Sequence, residues 1–392
     1  MTTQTQMQSE PLQVQEKPTF KASKPGTGQL LADITARLTT IWQEMLHVEG
    51  VTPDQNYFDL GGDSILAVQL FARIEAEFGI NMPIATLFDA PTIGDLTRAL
   101  YEEKSVSRWS PLVTIQASGT KPPFFCMHGA GGNVLIYREL SKYLGPDQPF
   151  YGLQAQGLDG EDPPLTKIED MAALYVKHIR KARPRGPYYV GGYCMGGTVA
   201  FEVAQQLRAA GEEVALLVVF DTLNWSKLPL PSSMGKARHA WQRFAFHVAN
   251  LARLDFAGQK KFFSEKLKTA RNRIPVWRGT LLAKFRPNTN GESSESRLLG
   301  DIWRLNDQAC VEYKAKPYGG VLTEFRPLKQ YSMLDYEAAN WDHVELGGHN
   351  VVVLPVYPAG MLNDPFVKHL ATSLRTAIDN AGQNSAKTMD SR

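Results

Sequence analysis

Residues Gly192-Tyr193-Cys194-Met195-Gly196 place a cysteine between two glycines, after the apolar run PYYVGG and before the helical pattern TVAFEVAQQLRAAG. A nucleophile on a sharp strand-to-helix turn of the G-x-S-x-G type attacks acyl carbonyls, and here cysteine stands where serine is usual. A thiol with an ordinary pKa of about 8.5, beside an imidazole and at a helix N-terminus, can ionise to a thiolate. The pattern predicts acyl transfer through Cys194, or a site of this kind that has lost its activity.

Two partners follow in the chain order nucleophile, acid, base. Asp221 ends the apolar run LLVVFD, 27 residues after Cys194, which leaves room for one helix and one strand. His349 lies in the Gly-rich stretch ELGGHN, which we interpret as a loop before the C-terminal helix, whereas the alternative, His343, lacks flanking glycines. We expect His349 to act as the base and Asp221 to hold its tautomer and stabilise its charged form.

Backbone donors for a developing oxyanion are expected in the stretch FFCMHGAGGN. A strand that ends in this turn can aim the N–H of Ala130 at a carbonyl oxygen, and Met195, directly after the nucleophile, supplies a second N–H. A phosphate-binding loop is the rival interpretation, but the Gly-Lys-Ser/Thr sequence of such loops is absent. We interpret His128 as a structural residue of the turn.

The elements that must position these residues fall into two parts. Residues 28–103 repeat apolar side chains at three- and four-residue steps and predict a small all-α domain of four helices, with twelve acidic and three basic residues. After a linker at 104–110, residues 111–380 alternate β-rich runs with helical patterns, which predicts an α/β fold with a mostly parallel sheet. We expect a disordered leader at 1–27 and a disordered tail at 381–392.

An insertion at about 223–318 is expected to form a helical lid, because it leaves the carboxyl end of a strand, where open α/β sheets place their sites. Residues 223–289 hold fourteen Lys or Arg and two Asp or Glu. Such a run indicates a solvated helix face, a nucleic-acid patch, or a surface that meets the acidic helical domain. We expect docking through the summed field of its basic side chains, including Lys236, Arg243, Lys260 and Lys266.

Ser64 follows a Gly-Gly-Asp turn at the start of an amphipathic helix. Taken alone, Asp63 and Ser64 could serve only as N-cap residues. The stretch YFDLGGDSILAVQLF and the later LFDAPTIGDL resemble the peptidyl carrier proteins of nonribosomal peptide synthetases, from about Leu30 to Tyr101. The resemblance implies a covalent 4′-phosphopantetheine on Ser64, added by a phosphopantetheinyl transferase. A phosphodiester there would lie at the positive end of a helix.

The motifs of residues 111–380 together resemble the type I thioesterase domains, of α/β-hydrolase fold, that end nonribosomal peptide and polyketide synthases; Cys194 departs from their usual serine. The resemblance implies that adenylation and condensation modules on other chains load an acyl or peptidyl thioester. The chain then moves to Cys194 and leaves by hydrolysis, cyclisation or transfer to an amine or hydroxyl. A transacylase with a separate acceptor, and a carrier with an inactive hydrolase domain, are the alternatives.

Composition limits the other classes of function. A net charge of +2 over 392 residues favours neither nucleic acid nor a membrane as the main partner. Three cysteines in no metal-ligand spacing predict neither a disulfide scaffold nor a metal site. With no apolar leader, the sequence predicts a soluble cytoplasmic protein, and its Met1 start suggests a free-standing one.

Overall fold

The structure is a computed structural model of the chain, and it describes residues 27–102, 109–224, 294–328, 340–344, 346–356 and 360–390. Most of the expected leader and linker, and the first part of the expected lid, lie outside the described residues. The same holds for four basic residues to which we assigned a docking role: Lys236, Arg243, Lys260 and Lys266.

The smaller domain contains four helices, as the sequence predicts. Its core forms because apolar side chains at helical spacing turn inwards, and Leu38, Trp42 and Ile74 are completely buried in it. The helices are α1 (Thr27–Leu46), α2 (Ser64–Phe78), α3 (Thr86–Asp89) and α4 (Ile93–Glu102).

A seven-stranded sheet forms the centre of the larger domain, with the strand order β1-β3-β2-β4-β5-β6-β7. β1 pairs antiparallel with β3, and every other neighbouring pair is parallel. The β-rich runs PPFFCMH, PFYGLQ, PYYVGGY, EVALLVVFD and VLTEFRP, which the sequence indicates as strands, form β2 to β6. The bounds are β1 Leu112–Gln116, β2 Phe124–Met127, β3 Phe150–Leu153, β4 Tyr188–Tyr193, β5 Val214–Phe220, β6 Tyr318–Pro327 and β7 Leu346–Leu354.

Helices cover both faces of this sheet, which is why its central strands are apolar on both sides. One core contains Phe124 and Val218 and is closed by α5 and α9; the other contains Phe125 and Val219 and is closed by α6, α7 and α8. These layers confirm the predicted α/β-hydrolase architecture. The helices are α5 (Arg138–Leu144), α6 (Ile168–Ala182), α7 (Met195–Ala209), α8 (Ser294–Glu312) and α9 (Val367–Asp390), with one-turn 3-10 helices at Leu135–Tyr137 and Trp341–His343.

Two regions differ from the sequence prediction. The stretch around His349, expected to be a loop, forms β7, because the β-branched run that follows its glycines extends and pairs with β6, as Val352 does with Phe325. The expected tail at 381–392 is helical as far as Asp390, because Ala381 is buried against the core and no proline interrupts α9. Among the described residues, no helix is both long enough and apolar enough to cross a membrane.

Candidate active site

Cys194 lies on a strained turn between β4 and α7. Its backbone angles are φ 54° and ψ −121°, in the left-handed half of φ space that residues with a side chain rarely adopt. The Cys194 N–H donates to the Phe220 carbonyl at 2.9 Å and fixes the turn to β5. A Cβ on Gly192 would lie 2.2 Å from the Gly196 carbonyl group, and one on Gly196 would lie 2.3 Å from the Met127 oxygen. Glycine is therefore required on both sides of the nucleophile.

Asp221 directly follows β5, the strand next to β4, and therefore lies at the same end of the sheet as Cys194. Tyr193 of β4 and Phe220 of β5 are register partners, so the residue after each emerges at the same edge of the sheet. The Oδ1 atom of Asp221 is buried and has no hydrogen-bond partner among the residues that the structure describes. Burial, with the nearby negative charge of Glu324, raises the pKa of Asp221 to about 7. This carboxyl group can therefore accept and return a proton near neutral pH.

The thiol of Cys194 retains its proton at neutral pH. Burial and the negative charge of Asp221 raise the pKa of Cys194 to about 12, although a hydrogen bond from the Met195 backbone acts in the opposite direction. The thiolate expected from the sequence is therefore not formed in this state, and the sulfur must lose its proton as it attacks.

His349, the predicted base, does not reach this pair. It lies inside β7 opposite Leu322, which in turn lies opposite Leu217, four residues before Asp221. Because a parallel strand rises about 3.3 Å per residue, the backbone of His349 lies about 13 Å short of the sheet edge that carries Asp221. The structure thus brings Cys194 and Asp221 together and leaves His349 apart.

Two carboxylates hold the imidazole of His349 instead. Its Nε2 lies 3.0 Å from Glu324 Oε2 and its Nδ1 lies 3.0 Å from Asp342 Oδ1. Arg326 binds the same Glu324 carboxylate through Nε at 2.6 Å and Nη2 at 2.8 Å. Hydrogen bonding to Glu324 raises the pKa of His349, which favours the doubly protonated ring that two carboxylate contacts require.

His343 is the alternative base that the sequence offers. His343 lies in the one-turn helix Trp341–His343, which is tied to Thr222 by a 3.0 Å hydrogen bond from the Trp341 indole N–H to the Thr222 carbonyl, but the side chain of His343 lies outside the described part. The sequence after β7 contains no histidine between Pro355 and Phe366. Among the described titratable groups, Asp221 is the carboxylate with the largest electrostatic effect on the Cys194 thiol.

Ala130 occupies the second position of a tight turn at the end of β2. The Gly132 N–H donates to the Gly129 carbonyl at 2.9 Å and closes this turn. Within the described residues no hydrogen bond uses the Ala130 N–H. Met195 is the first residue of α7, where backbone N–H groups have no partner within the helix, and its N–H faces the Cys194 sulfur. The Ala130 N–H is thus available to a bound carbonyl oxygen, whereas the Met195 N–H would have to exchange its hydrogen bond to the Cys194 sulfur for one to that oxygen.

His128 has the structural role predicted for it. Its Nδ1 donates to the Gly129 carbonyl at 2.7 Å, so Nε2 accepts from the Tyr175 hydroxyl, also at 2.7 Å. Burial lowers the pKa of His128 to about 4, which keeps the ring neutral. The side chain therefore braces the turn that carries Ala130.

Ser64 is the first residue of α2 and is partly exposed. The cap of this helix is Asp63, whose Oδ1 accepts the Leu66 N–H at 2.9 Å. The hydroxyl of Ser64 is therefore not required for capping. A partly exposed hydroxyl beside the positive end of a helix fits the attachment of a phosphodiester.

The smaller domain contacts the larger one next to the turn of Ala130. Arg138 stacks over the ring of Phe58, 4.2 Å from its centre, and Leu135 is 5% exposed within the core of the smaller domain. The Asn81 amide also reaches the Asp159 carbonyl at 3.4 Å. Phe58 lies six residues before Ser64, so this contact joins the segment that carries Ser64 to the segment that follows Ala130.

Sequence reasoning missed Glu324, which is 4% exposed and influences both Asp221 and His349. The signal was a carboxylate within the apolar strand pattern VLTEFRP, where a buried charge needs a partner. Its partners could not be chosen from the sequence, because they depend on the register of β7.

Comparisons with known proteins agree with these two domains. A family model for the thioesterase domain matches residues 122–284, and one for the phosphopantetheine attachment site matches residues 36–100. The chain is 41% identical over 213 residues to the dimodular nonribosomal peptide synthase of Bacillus subtilis (strain 168), a match that covers 54% of this chain and 9% of the relative. It is 38% identical over 192 residues to malpibaldin synthetase of Mortierella alpina, covering 48% and 4%.

Among solved structures, holo-AB3403, a four-domain nonribosomal peptide synthetase bound to AMP and glycine, is similar with a TM-score of 0.53 and 25% identity. This similarity covers 92% of the present chain and 27% of that one. The chain thus spans less than a tenth of its two curated relatives and about a quarter of the solved one. With a phosphopantetheine attachment site followed by a thioesterase domain, the chain has the domain order of a carrier–thioesterase didomain, and its larger domain matches the thioesterase family and has an α/β-hydrolase fold.

Proposed function

We propose that this protein takes an acyl or peptidyl thioester from its own carrier domain onto Cys194 and releases it, as a step of nonribosomal peptide biosynthesis. The observation that carries the proposal is a cysteine on a strained elbow beside a buried carboxyl group with a pKa near 7. The carrier contact at Arg138 adds support, because it joins the Ser64 segment to the segment that follows Ala130.

Ser64 would hold 4′-phosphopantetheine as a phosphodiester, and this group supplies the thiol on which the acyl chain is carried. Asp63 would keep the end of α2 capped while Ser64 is modified. A phosphopantetheinyl transferase would attach the group, and adenylation and condensation modules on other chains would load it.

In the capture step, the Cys194 sulfur would form a bond to the acyl carbon while Asp221 takes the thiol proton. The Ala130 and Met195 N–H groups would donate to the carbonyl oxygen as it becomes negative. When the carbon–sulfur bond to the carrier breaks, Asp221 would return the proton to the departing thiolate. One thioester replaces another, so capture loses little of the free energy that drives release.

In the release step, an amine, a hydroxyl or water would attack the acyl carbon on Cys194, and Asp221 would accept the proton of the attacking group. The Cys194 sulfur would leave and take that proton back from Asp221. A thioester favours amines over water more than an oxyester does, so amide formation or cyclisation is plausible beside hydrolysis.

His349, predicted as the base, would contribute indirectly in this arrangement. It compensates the charge of Glu324, and that charge helps to keep the pKa of Asp221 near neutrality. A triad of Cys194, Asp221 and His349 would require β7 to move along β6 and the ring to leave both of its carboxylates.

The test is intact-protein and peptide mass spectrometry of a chain loaded by a phosphopantetheinyl transferase with octanoyl-coenzyme A. We expect the octanoyl mass to appear on the Cys194 peptide and then to disappear, whereas Cys194→Ala should keep it on the Ser64 arm. Cys126→Ala is the matched control, because Cys126 is buried in the core and has no role in the proposal. Equal release by Cys194→Ala and the wild type would overturn the proposal.

A carrier with a catalytically silent hydrolase domain is the second candidate, and the observation that favours it is the engagement of His349 by Glu324 and Asp342. Under that function, octanoyl groups would stay on Ser64 in the wild type. A transacylase would instead pass the octanoyl group from Cys194 to an added acceptor in preference to water. Because Cys194 must be a free thiol in each active case, we propose a reducing compartment such as the cytoplasm.

A further inference from the structure

The helix α8 ends the insertion between β5 and β6 and packs against the turn that carries Ala130. Its buried face repeats at helical spacing: Ile302, Asn306 and Ala309 are each at most 2% exposed. Asn306 is the polar member of this otherwise apolar face. A buried amide needs a hydrogen-bond partner to offset the loss of its hydrogen bonds to water, so loss of the contact that Asn306 makes would be costly in free energy.

That partner is the turn itself. The Asn306 Nδ2 donates to the Ala130 carbonyl at 2.9 Å. Other parts of α8 touch the same turn, since a Cβ on Gly131 would lie 3.3 Å from the Trp303 ring and one on Gly132 would lie 3.2 Å from the Ile302 side chain. The helix and the turn are therefore in van der Waals contact on either side of this hydrogen bond.

Backbone hydrogen bonds fix the two ends of the turn, and among the described residues the hydrogen bond from Asn306 is the one that holds its central peptide. The Gly132 N–H bonds back to Gly129 at 2.9 Å, and the Gly132 carbonyl accepts the Ala155 N–H at 2.8 Å, so the ends of the turn are fixed. The peptide between Ala130 and Gly131 could still rotate between the two common turn types, which differ in the orientation of this peptide. The bond from Asn306 selects one orientation.

We propose that Asn306 is a positioning residue: by anchoring the Ala130 carbonyl it holds Ala130 and the Gly129–Gly132 turn in place, so that the Ala130 N–H stays directed at the acyl carbonyl oxygen. This inference rests on the proposed function of Cys194 and extends it. It also makes the end of the insertion part of the oxyanion site, because displacement of α8 would release the turn. Acyl transfer would then require α8 to be seated.

The test compares two reactions of Cys194 that differ in their need for an oxyanion donor. Acylation from the octanoyl-loaded carrier develops a negative oxygen, whereas alkylation by iodoacetamide at pH 8.5 does not. For Asn306→Leu we expect acylation to slow by about 10- to 100-fold, with alkylation of Cys194 unchanged within experimental error. Asn306→Asp keeps the size of the side chain but replaces the donating amide with a carboxylate, which cannot donate to the Ala130 carbonyl. We expect the same slowing of acylation with unchanged alkylation.

Gln308→Leu is the matched control, since Gln308 lies on the exposed surface of the same helix, where it donates to Glu312. Equal loss of acylation and alkylation in both Asn306 variants would indicate a merely structural role and would overturn the inference, as would wild-type acylation rates in them. A wild-type chain that never acylates Cys194 would overturn the proposed function first, and this inference with it.

Discussion

The chain presents a reactive group at the N-terminus of a helix twice, at Ser64 on α2 and at Cys194 on α7. Ser64 follows a residue that caps its helix through a 2.9 Å hydrogen bond, and it is partly exposed. Cys194 has φ 54°, no side-chain cap, and a thiol whose pKa burial raises to about 12. The first site is relaxed and accessible, while the second is strained and desolvated.

This difference matches what each site has to do. A hydroxyl that another enzyme modifies needs access and a favourable field, but no reactivity of its own. A nucleophile that the protein uses itself needs a fixed direction, a proton acceptor and hydrogen-bond donors for the oxyanion. Backbone strain at such a residue is retained because the strained conformation fixes that direction. Strain and desolvation, rather than helix position, separate the proposed catalytic site at Cys194 from the attachment site at Ser64.

The largest effect is expected at the relaxed site. Ser64→Ala should abolish attachment of phosphopantetheine completely, because no other serine of the described carrier domain follows a Gly-Gly-Asp turn. The measurement is the mass of the protein after incubation with a phosphopantetheinyl transferase and coenzyme A. Alkylation of Cys194 should remain at the wild-type rate, and any gain of the arm's mass by the variant would contradict the assignment.

At the strained site, Asp221→Asn should slow acyl capture by about 10²- to 10⁴-fold, the usual contribution of a general base. His349→Gln, which keeps a polar side chain between Glu324 and Asp342, should slow it far less, because the ring does not reach Cys194. Single-turnover transfer from the octanoyl-loaded carrier measures both. Comparable losses in the two variants would favour the triad and a moved β7.

Cys194→Ser tests whether thiol chemistry sets the outcome. The hydroxyl is a weaker nucleophile than the thiol, so capture should be slower than in the wild type but faster than in Cys194→Ala. The product mixture should shift towards hydrolysis or a stalled oxyester. The relative yields of acid and amide with an added amine, measured by mass spectrometry, check this expectation, and an unchanged mixture would contradict it.

Burial of Asp221 should also make the free energy of unfolding depend on pH. The unfolded chain loses the Asp221 proton near pH 4, while the folded chain keeps it until about pH 7. Wild-type stability should therefore fall relative to Asp221→Asn by up to about 1.4 kcal/mol per pH unit between these values, and stay level above pH 7. Urea unfolding of both proteins from pH 4 to 8 measures the difference; a constant offset would contradict the raised pKa.

The smallest effect concerns the contact that joins the two sites. Arg138→Ala removes the stacking on Phe58, which is worth about 0.5–1 kcal/mol and should lower transfer about 2- to 5-fold. Arg98→Ala is the control, because Arg98 pairs with Asp95 on the exposed surface of the carrier. Equal transfer rates in both variants would indicate that this contact does not guide the carrier.

Much of the fold and the placement of Cys194 and Asp221 at one edge of the sheet could be predicted because their signals are local. The glycines around Cys194 specify a close strand-to-helix turn, and the apolar run before Asp221 specifies the strand that delivers it to the same edge. The Gly-Gly-Asp turn before Ser64 likewise carries its meaning in adjacent residues. In each case a few consecutive residues fix the backbone, and the backbone fixes the side chain.

His349, Glu324 and Asn306 could not be placed in this way. The position of His349 depends on the register of β7 against β6, in which Leu322 lies opposite His349 and Phe325 opposite Val352. The two glycines before His349 favoured the interpretation of this stretch as a loop. Asn306 contacts Ala130, 176 residues away. The sequence by itself determined the two domains, the attachment site and the pair Cys194 and Asp221, because neighbouring residues define strands, turns and caps. The tertiary structure alone decided which carboxylates hold His349 and which side chain holds the Ala130 turn. It also decided how far burial shifts the pKa values of Cys194 and Asp221. These features depend on strand register and on packing between segments that are distant in the sequence.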